Sequence, residues 1–567
     1  MKPLSSNAVE GIFYALTAFA PFAFGCVEPW SRAVLQILCL LLALACFLRG
    51  RPAPSRAAAY AWLVPAGVAT LGFFQRFNAV SAEAPRPLAP FTVAPHETGL
   101  AVMAWVSYAA ILGSVPRVVG SPAAARRYMR FLFGLGVALA VLGLLQGATG
   151  GDKLYWIRSA PRTSFFGPYY NRNHAANVLL MSLGAGIGLL LARLRARGAA
   201  GSPRPIAAGL LVLLAGLAAC ASQAAFLAVP LAGAAVALIA APFARDAARR
   251  RGRALAALAA GSLVVALAYG HVASGANAGA LVEKSVMARL FIYGDAWRWW
   301  RDAPLFGTGL GSFETVYPSY HDMGLLGYVT HAHSDWIEFA LEAGLFGLIG
   351  ALTCAAAAAV IVGRTWREAR SAEMRALIGG GLAAAAAFAA HAAFEFCFQI
   401  PANAAIFCGL LGFLLSAPAW ADKASAGVKV EAPSRVAMIV AAAYALSLAW
   451  AAALPAVASW RAGAGPSPSA IVQAVELDAS PRLYHRLAAE LYRAAAQETS
   501  SDVALMRVAL GYALAAVELR PFDCDALYLA GAALRRLGRQ SDGDILLAQA
   551  QTVRFARLDP RRQAAKP

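Results

Sequence analysis

Side chains able to do chemistry are sparse in this chain of 567 residues and gather in four places. The first is Asn171, Arg172, Asn173 and His174, which follow Phe166-Gly-Pro-Tyr-Tyr170 at the start of an apolar run. Four adjacent hydrogen-bonding side chains at a helix N-terminus suit an anionic or sugar ligand. They equally suit an interfacial anchor, with Tyr169 and Tyr170 in the aromatic belt, Asn173 capping the helix and Arg172 snorkelling to the headgroups.

The second place is the segment Met287–Trp300, an amphipathic helical pattern that carries Arg289, Trp297, Trp299 and Trp300. Its tryptophans fit either a lipid surface or the faces of sugar rings. Gly307, Gly309 and Gly311 follow, but with neither a preceding strand nor a Lys-Ser/Thr pair they do not make a nucleotide loop. The third is His331-Ala-His-Ser-Asp335, where a loop becomes an apolar helix. His331, His333 and Asp335 have a spacing that could ligate a metal. Asp335 and Glu338 also read as an N-cap acid with its Glu three residues on. The cap reading does not explain His333, a histidine at the membrane–water boundary able to exchange a proton near neutral pH. The fourth is His391 and Glu395, expected four residues apart on one face of an apolar span. Ionisable groups within a span mark function by default, and mutual pairing is the structural alternative.

The elements that must hold these residues are membrane helices. Hydrophobic residues make up 60% of the chain and charged residues 14%, and mean hydropathy is +0.58. These values exclude disorder and an ordinary soluble enzyme. Candidate spans lie near 8–26, 33–48, 60–74, 98–114, 131–147, 173–192, 206–221, 224–241, 254–271, 336–362, 376–398, 402–417 and 436–454, each about long enough to cross ~30 Å of hydrocarbon. The formal charge of +19 sits mostly as Arg clusters between these runs, so topology rather than nucleic acid accounts for it. One set of short loops holds 23 Lys and Arg against 7 in the other, which makes the richer set cytoplasmic. A long loop at about 272–335 and the tail after 454 then lie outside. Seven of the eight cysteines fall in apolar runs and none has paired spacing, so neither a disulfide framework nor a cysteine zinc site is expected. The expected fold class is all-α: a polytopic membrane bundle of about 12–13 helices over residues 1–454, then a small extracytoplasmic helical domain over 455–567. In that tail Ala474-Val-Glu-Leu477 recurs as Ala516-Val-Glu-Leu519, and its small-residue pattern resembles tetratricopeptide hairpins, with a plain helical bundle as the alternative.

Taken in order, Asn171-Arg-Asn-His174, the Arg289…Trp297…Pro304-Leu-Phe-Gly-Thr-Gly-Leu-Gly311 loop, His331-Ala-His-Ser-Asp335 with Glu342-Ala-Gly-Leu-Phe-Gly347, and His391…Glu395…Asn403 resemble the O-antigen ligase/polymerase superfamily over residues 165–415. The resemblance implies a GT-C-type glycosyltransferase of the bacterial inner membrane, working at its periplasmic face without cofactor or metal. It implies an undecaprenyl-diphosphate-linked glycan as donor and a glycan, lipid A-core or protein as acceptor. It also implies that Arg289 binds the lipid diphosphate and His333 serves the acceptor as general base. Asn171, Arg172, Asn173, His174, His331, Trp297, His391 and Glu395 then become substrate-binding candidates. Three positions depart from the pattern: Gln223 replaces a common Arg, Ser334 an Asn, and Glu395 an Asp. Arg172 is the candidate substitute for the charge lost at Gln223. Three other readings stay open: a protein O-glycosyltransferase, a glycolipid transporter, or a non-enzymatic scaffold whose tail recruits a protein partner.

Overall fold

A computed structural model describes residues 6–49, 56–80, 88–150, 153–159, 165–195, 202–230, 278–321, 329–421, 435–464, 468–497, 503–521 and 523–558. Of the expected spans, 254–271 lies outside these residues and 224–241 is described only as far as residue 230. The described chain is helical apart from one two-residue β-hairpin, Lys153–Leu154 with Arg158–Ser159. The membrane part comprises α1 (Ser6–Phe22), α2 (Pro29–Leu48), α3 (Arg56–Tyr60), α4 (Leu63–Phe77), α5 (Pro95–Val118), α6 (Pro122–Ala148), α7 (Arg172–Arg195) and α8 (Arg204–Cys220). It continues with α9 (Ala278–Asp302), the short α10 (Phe313–Val316), α11 (Asp335–Glu368), α12 (Ala372–His391), α13 (Pro401–Ala421) and α14 (Arg435–Ala464). The tail adds α15 (Pro468–Leu477), α16 (Pro481–Gln497), α17 (Val503–Leu519), α18 (Cys524–Arg536) and α19 (Gln540–Leu558).

Among the described residues, nine helices are long and apolar enough to cross a membrane, and each coincides with an expected span. The chain is thus an all-α, multi-pass membrane protein. Two details differ from expectation. The span expected at 376–398 stops at His391, so Glu395 lies in the turn beyond the helix rather than on a shared face with His391. Helix α14 runs unbroken through Pro455 to Ala464, so the expected boundary at 454 falls inside a helix. In the tail, the repeated Ala-Val-Glu-Leu segments form the C-terminal ends of α15 and α17.

Close helix packing places the ends of α7 and α12 together. A Cβ added to Gly184 would lie 2.7 Å from the Ala384 backbone, and one added to Gly380 would lie 2.6 Å from Gly188 Cα. Small residues of this kind let membrane helices approach until their backbones touch. The start of α7 and the end of α12 are thereby held side by side.

A second contact fixes the loop after α9. Helix α11 is broken at Gly344, where φ is 66° and ψ −170°. Such a break orphans backbone groups that hydrocarbon cannot satisfy. The loop after α9 satisfies them: Leu345 and Phe346 N–H donate to the Pro304 and Leu305 carbonyls at 2.8 and 3.1 Å, while Thr308 and Gly309 N–H donate to the Leu341 and Glu342 carbonyls, both at 3.1 Å. Gln75 of α4 seals the junction, donating to Phe306 and Glu342 oxygens at 2.8 and 2.9 Å and accepting from Leu310 N–H at 3.1 Å. Gly307, with φ of 69°, lies so close that a Cβ would meet the Glu342 carbonyl at 2.4 Å. The Gly307/Gly309/Gly311 spacing is therefore a packing device.

Ion pairs segregate to two ends of the bundle. Arg126 with Glu373 and Arg127 with Glu10 join segments of the arginine-rich side. Arg289 with Glu395, Arg158 with Glu28, and the tail contacts lie at the other end. There Arg520 of the tail bridges Glu97 and Glu314 at 3.1 and 3.2 Å, and Asp478 meets His96 at 2.7 Å. The tail and the α9 loop thus share one side of the bundle.

Gly344→Ala should lower the apparent Tm of the detergent-solubilised protein, because Ala is strained at positive φ and its Cβ would lie 2.3 Å from the Leu305 carbonyl oxygen. The expected loss is on the order of 1–3 kcal/mol, read by thermal unfolding against wild type.

Candidate active site

At the end of the bundle that also carries the tail contacts, the turn after α12 presents Glu395, whose side chain is 1% exposed. One oxygen accepts from Asn173 Nδ2 and from an Arg289 guanidinium nitrogen, both at 2.7 Å. The other oxygen faces His333 Nδ1 at 3.5 Å. Three elements distant in sequence therefore meet on one carboxylate: the first turn of α7, the middle of α9 and the residue just before the cap of α11. Burial alone would push the Glu395 carboxyl up; His333, Arg289 and His174 outweigh it and hold the group down at about 2.

Local geometry explains how each partner arrives. Asn171 caps α7, accepting from Asn173 N–H at 2.9 Å, so Asn173 itself is free to reach Glu395; this corrects the expectation that Asn173 is the cap. Ser334, not Asp335, caps α11. Asp335 instead accepts from Phe398 N–H at 2.8 Å and ties α11 to the turn that carries Glu395. Glu338 reaches back to Ala332 N–H at 2.8 Å and to His331 Nδ1 at 2.9 Å. His333 has φ of 51°, a left-handed conformation uncommon outside glycine. Its carbonyl accepts from the Tyr293 hydroxyl of α9 at 3.3 Å. A strained residue held by its surroundings is a mark of functional sites.

Phe396 is the aromatic hub of the site. His331 stacks on it at 4.1 Å between centroids, and His174 and His333 meet it edge-on at 4.7 and 5.3 Å. Burial would lower the His331 pKa, but the adjacent Glu338 carboxylate raises it above the usual imidazole value. Deeper in, His391 lies against Asn177 Nδ2 at 3.1 Å and Cys397 Sγ at 3.3 Å. Asn403 of α13 bridges the Asn177 side chain and the His174 carbonyl at 3.2 and 2.9 Å. This layer forms the polar floor beneath Glu395.

Of the residues singled out from sequence, Arg289, His333, Asn173 and Glu395 converge directly. His174 and His331 surround them through Phe396, and Asn171 and His391 support them. His331, His333 and Asp335 turn to three different partners, and among the described residues no three His, Cys, Asp or Glu side chains are placed to share an ion. Arg172 is exposed at the first turn of α7, with its charge acting on Cys220 at the end of α8, two residues before Ser222-Gln223. Trp297 stands apart, 59% exposed and stacked on Trp300 at 5.5 Å. Asn177, Tyr293 and Phe396 escaped the sequence reading. Asn177 had a signal, a polar residue one helical turn beyond His174 in an apolar run. Phe396, one aromatic among many, had none.

This geometry bears on the similarity found by comparison. Residues 208–352 match the family model described as O-antigen ligase. The match supports the resemblance to the O-antigen ligase/polymerase superfamily and, with it, membrane glycosyltransferase activity of that general type. It includes Arg289 and His333 but neither Asn173 nor Glu395, so the structure joins matched and unmatched segments at one carboxylate. No curated protein matches the chain.

The folded-state pKa of Glu395 lies below the ordinary value of 4.5. Its contribution to stability is therefore full above that value and is lost as pH falls toward 2. Glu395→Gln should cost roughly 3–5 kcal/mol by leaving Arg289 without its carboxylate. The Tm difference from wild type should hold steady above pH 5.5 and shrink below about pH 4.5.

Proposed function

We propose that the protein is a glycosyltransferase of the bacterial inner membrane that transfers glycan from undecaprenyl diphosphate to an acceptor hydroxyl at the periplasmic face. The observation that carries this reading is the meeting of Arg289 and His333 on Glu395 at the outer end of the bundle. Transfer from a lipid diphosphate needs two things from the protein: stabilisation of the departing anion and removal of the acceptor proton. Arg289 serves the first, because a planar guanidinium pairs with phosphoryl oxygens in a bidentate manner. His333 serves the second as general base, a role worth roughly 10²–10⁴-fold.

Glu395 lies on the Nδ1 side of His333, which leaves Nε2 for the acceptor. In the reaction the acceptor oxygen bonds to the anomeric carbon as the bond from that carbon to the diphosphate oxygen breaks. The acceptor proton passes to His333 Nε2, and undecaprenyl diphosphate leaves as the anion beside Arg289. Attack opposite the leaving group inverts the anomeric centre. Glu395 orients the imidazole and stabilises the imidazolium that forms, by the logic of carboxylate–histidine pairs. Arg172 supplies a further charge near Gln223. The tail, read as tetratricopeptide-like, is the part available to a protein partner.

Arg289→Ala and His333→Ala should each abolish transfer while the protein still inserts stably, assayed by glycan transfer in membranes. Wild-type activity in either variant overturns the assignment. Deletion of the protein with analysis of envelope glycans separates the acceptors. Loss of long chains with single units retained identifies a polymerase, and unattached chains accumulating on the lipid identify a ligase.

A further inference from the structure

A second group of side chains lies beside the proposed reactive centre. Among the described residues six non-glycine positions have positive φ, and four of them fall in one place: Phe24 at 57°, Cys26 at 58°, Tyr155 at 51° and Trp156 at 61°. The first two make the turn between α1 and α2, and the second two make the turn of the β-hairpin. Backbone held in this region is costly and persists where a site demands it.

The two turns assemble an aromatic surface with a charged pair at its edge. Phe24 packs edge-on against Tyr155 at 5.6 Å and stacks with Tyr170 at 5.9 Å. The Arg158 guanidinium lies over both Phe24 and Tyr170, 5.0 and 5.6 Å from the ring centres. Glu28 accepts from Arg158 at 2.9 Å and from the Tyr170 hydroxyl at 2.8 Å. Trp156 is 45% exposed, yet its indole N–H is pinned to Thr149 Oγ1 at 2.8 Å. In the first turn of α2 Arg32 donates to the Val27 carbonyl at 3.2 Å, while its Nε is buried with no hydrogen-bond partner.

We propose that this surface is a glycan subsite, in which the Trp156 face receives a sugar ring and Arg158 and Glu28 bind its hydroxyls. A fixed, solvent-facing ring on the same hairpin as Arg158, which pairs with Glu28, offers what the two faces of a sugar need, one of C–H groups and one of hydroxyls. Tyr170 precedes Asn173 by three residues, a reach of at most about 11 Å, so the subsite borders the Glu395 centre. The proposal rests on the glycosyltransferase reading and names where the glycan extends from the reacting sugar. Interfacial anchoring of Trp156 is the competing role, and it requires only an apolar side chain there.

The test uses the full-length protein in lipid nanodiscs, with oligosaccharides released by mild acid from the host's own envelope polysaccharide as the probe. Binding is read by saturation-transfer NMR. Trp156→Leu keeps an apolar anchor but removes the platform, and Arg158→Gln removes the charge from the exposed hairpin. Each should weaken oligosaccharide binding by about ten-fold, with Tm near wild type. Undiminished binding in Trp156→Leu, or none by the wild-type protein, overturns the subsite. Should Trp156→Leu fail to fold, Arg158→Gln decides by the same criterion. The two readings fail separately: transfer surviving in Arg289→Ala overturns the catalytic assignment, whatever Trp156→Leu does to binding.

Discussion

A buried carboxylate that must be shared is the constraint on which the candidate site is built. Glu395 has almost no contact with water, and an isolated charge there would be prohibitively costly. Arg289, Asn173 and His333 stabilise it, and they come from α9, α7 and the loop before α11. Satisfying one charge therefore fixes the relative positions of three elements. The same contact places a guanidinium and an imidazole on one small volume, so the structural requirement and the chemical arrangement coincide.

That carboxylate is held by geometry built deeper in the bundle. The glycine contact of α7 with α12 brings Asn177 against His391 and starts α7 beside the turn that carries Glu395. Asp335 then ties α11 to that turn through Phe398, while Gly344 allows α11 to break and accept the loop after α9. The first and last of these are backbone approaches that only small residues permit. Above them Phe396 presents one ring to three imidazoles, which limits where His333 can sit. The motifs that look chemical in sequence thus divide into those that touch the centre and those, such as Gly307 and Asp335, that hold the elements in place.

The tail lies on the same side as the candidate site. Arg520 bridges Glu97 and Glu314, and Glu97 belongs to the segment whose carbonyl packs against Gly311 of the interlocked loop. A displacement of the tail would therefore be felt by the loop that carries α9.

Nine of the expected spans and the all-α class were legible in the amino-acid order, because crossing a hydrocarbon layer requires long apolar runs. Arg289, His333 and Glu395 were also visible, since ionisable groups are scarce in such a chain and each therefore stands out. Only the tertiary structure showed that Glu395 lies past the end of its helix, that Asn171 rather than Asn173 is the cap, and that Phe396 joins the histidines. Those facts depend on where a helix stops and on which side chain fills a gap between helices. Both are settled by contacts between residues far apart in the chain, such as Asn173 with Glu395, and local pattern carries no record of them.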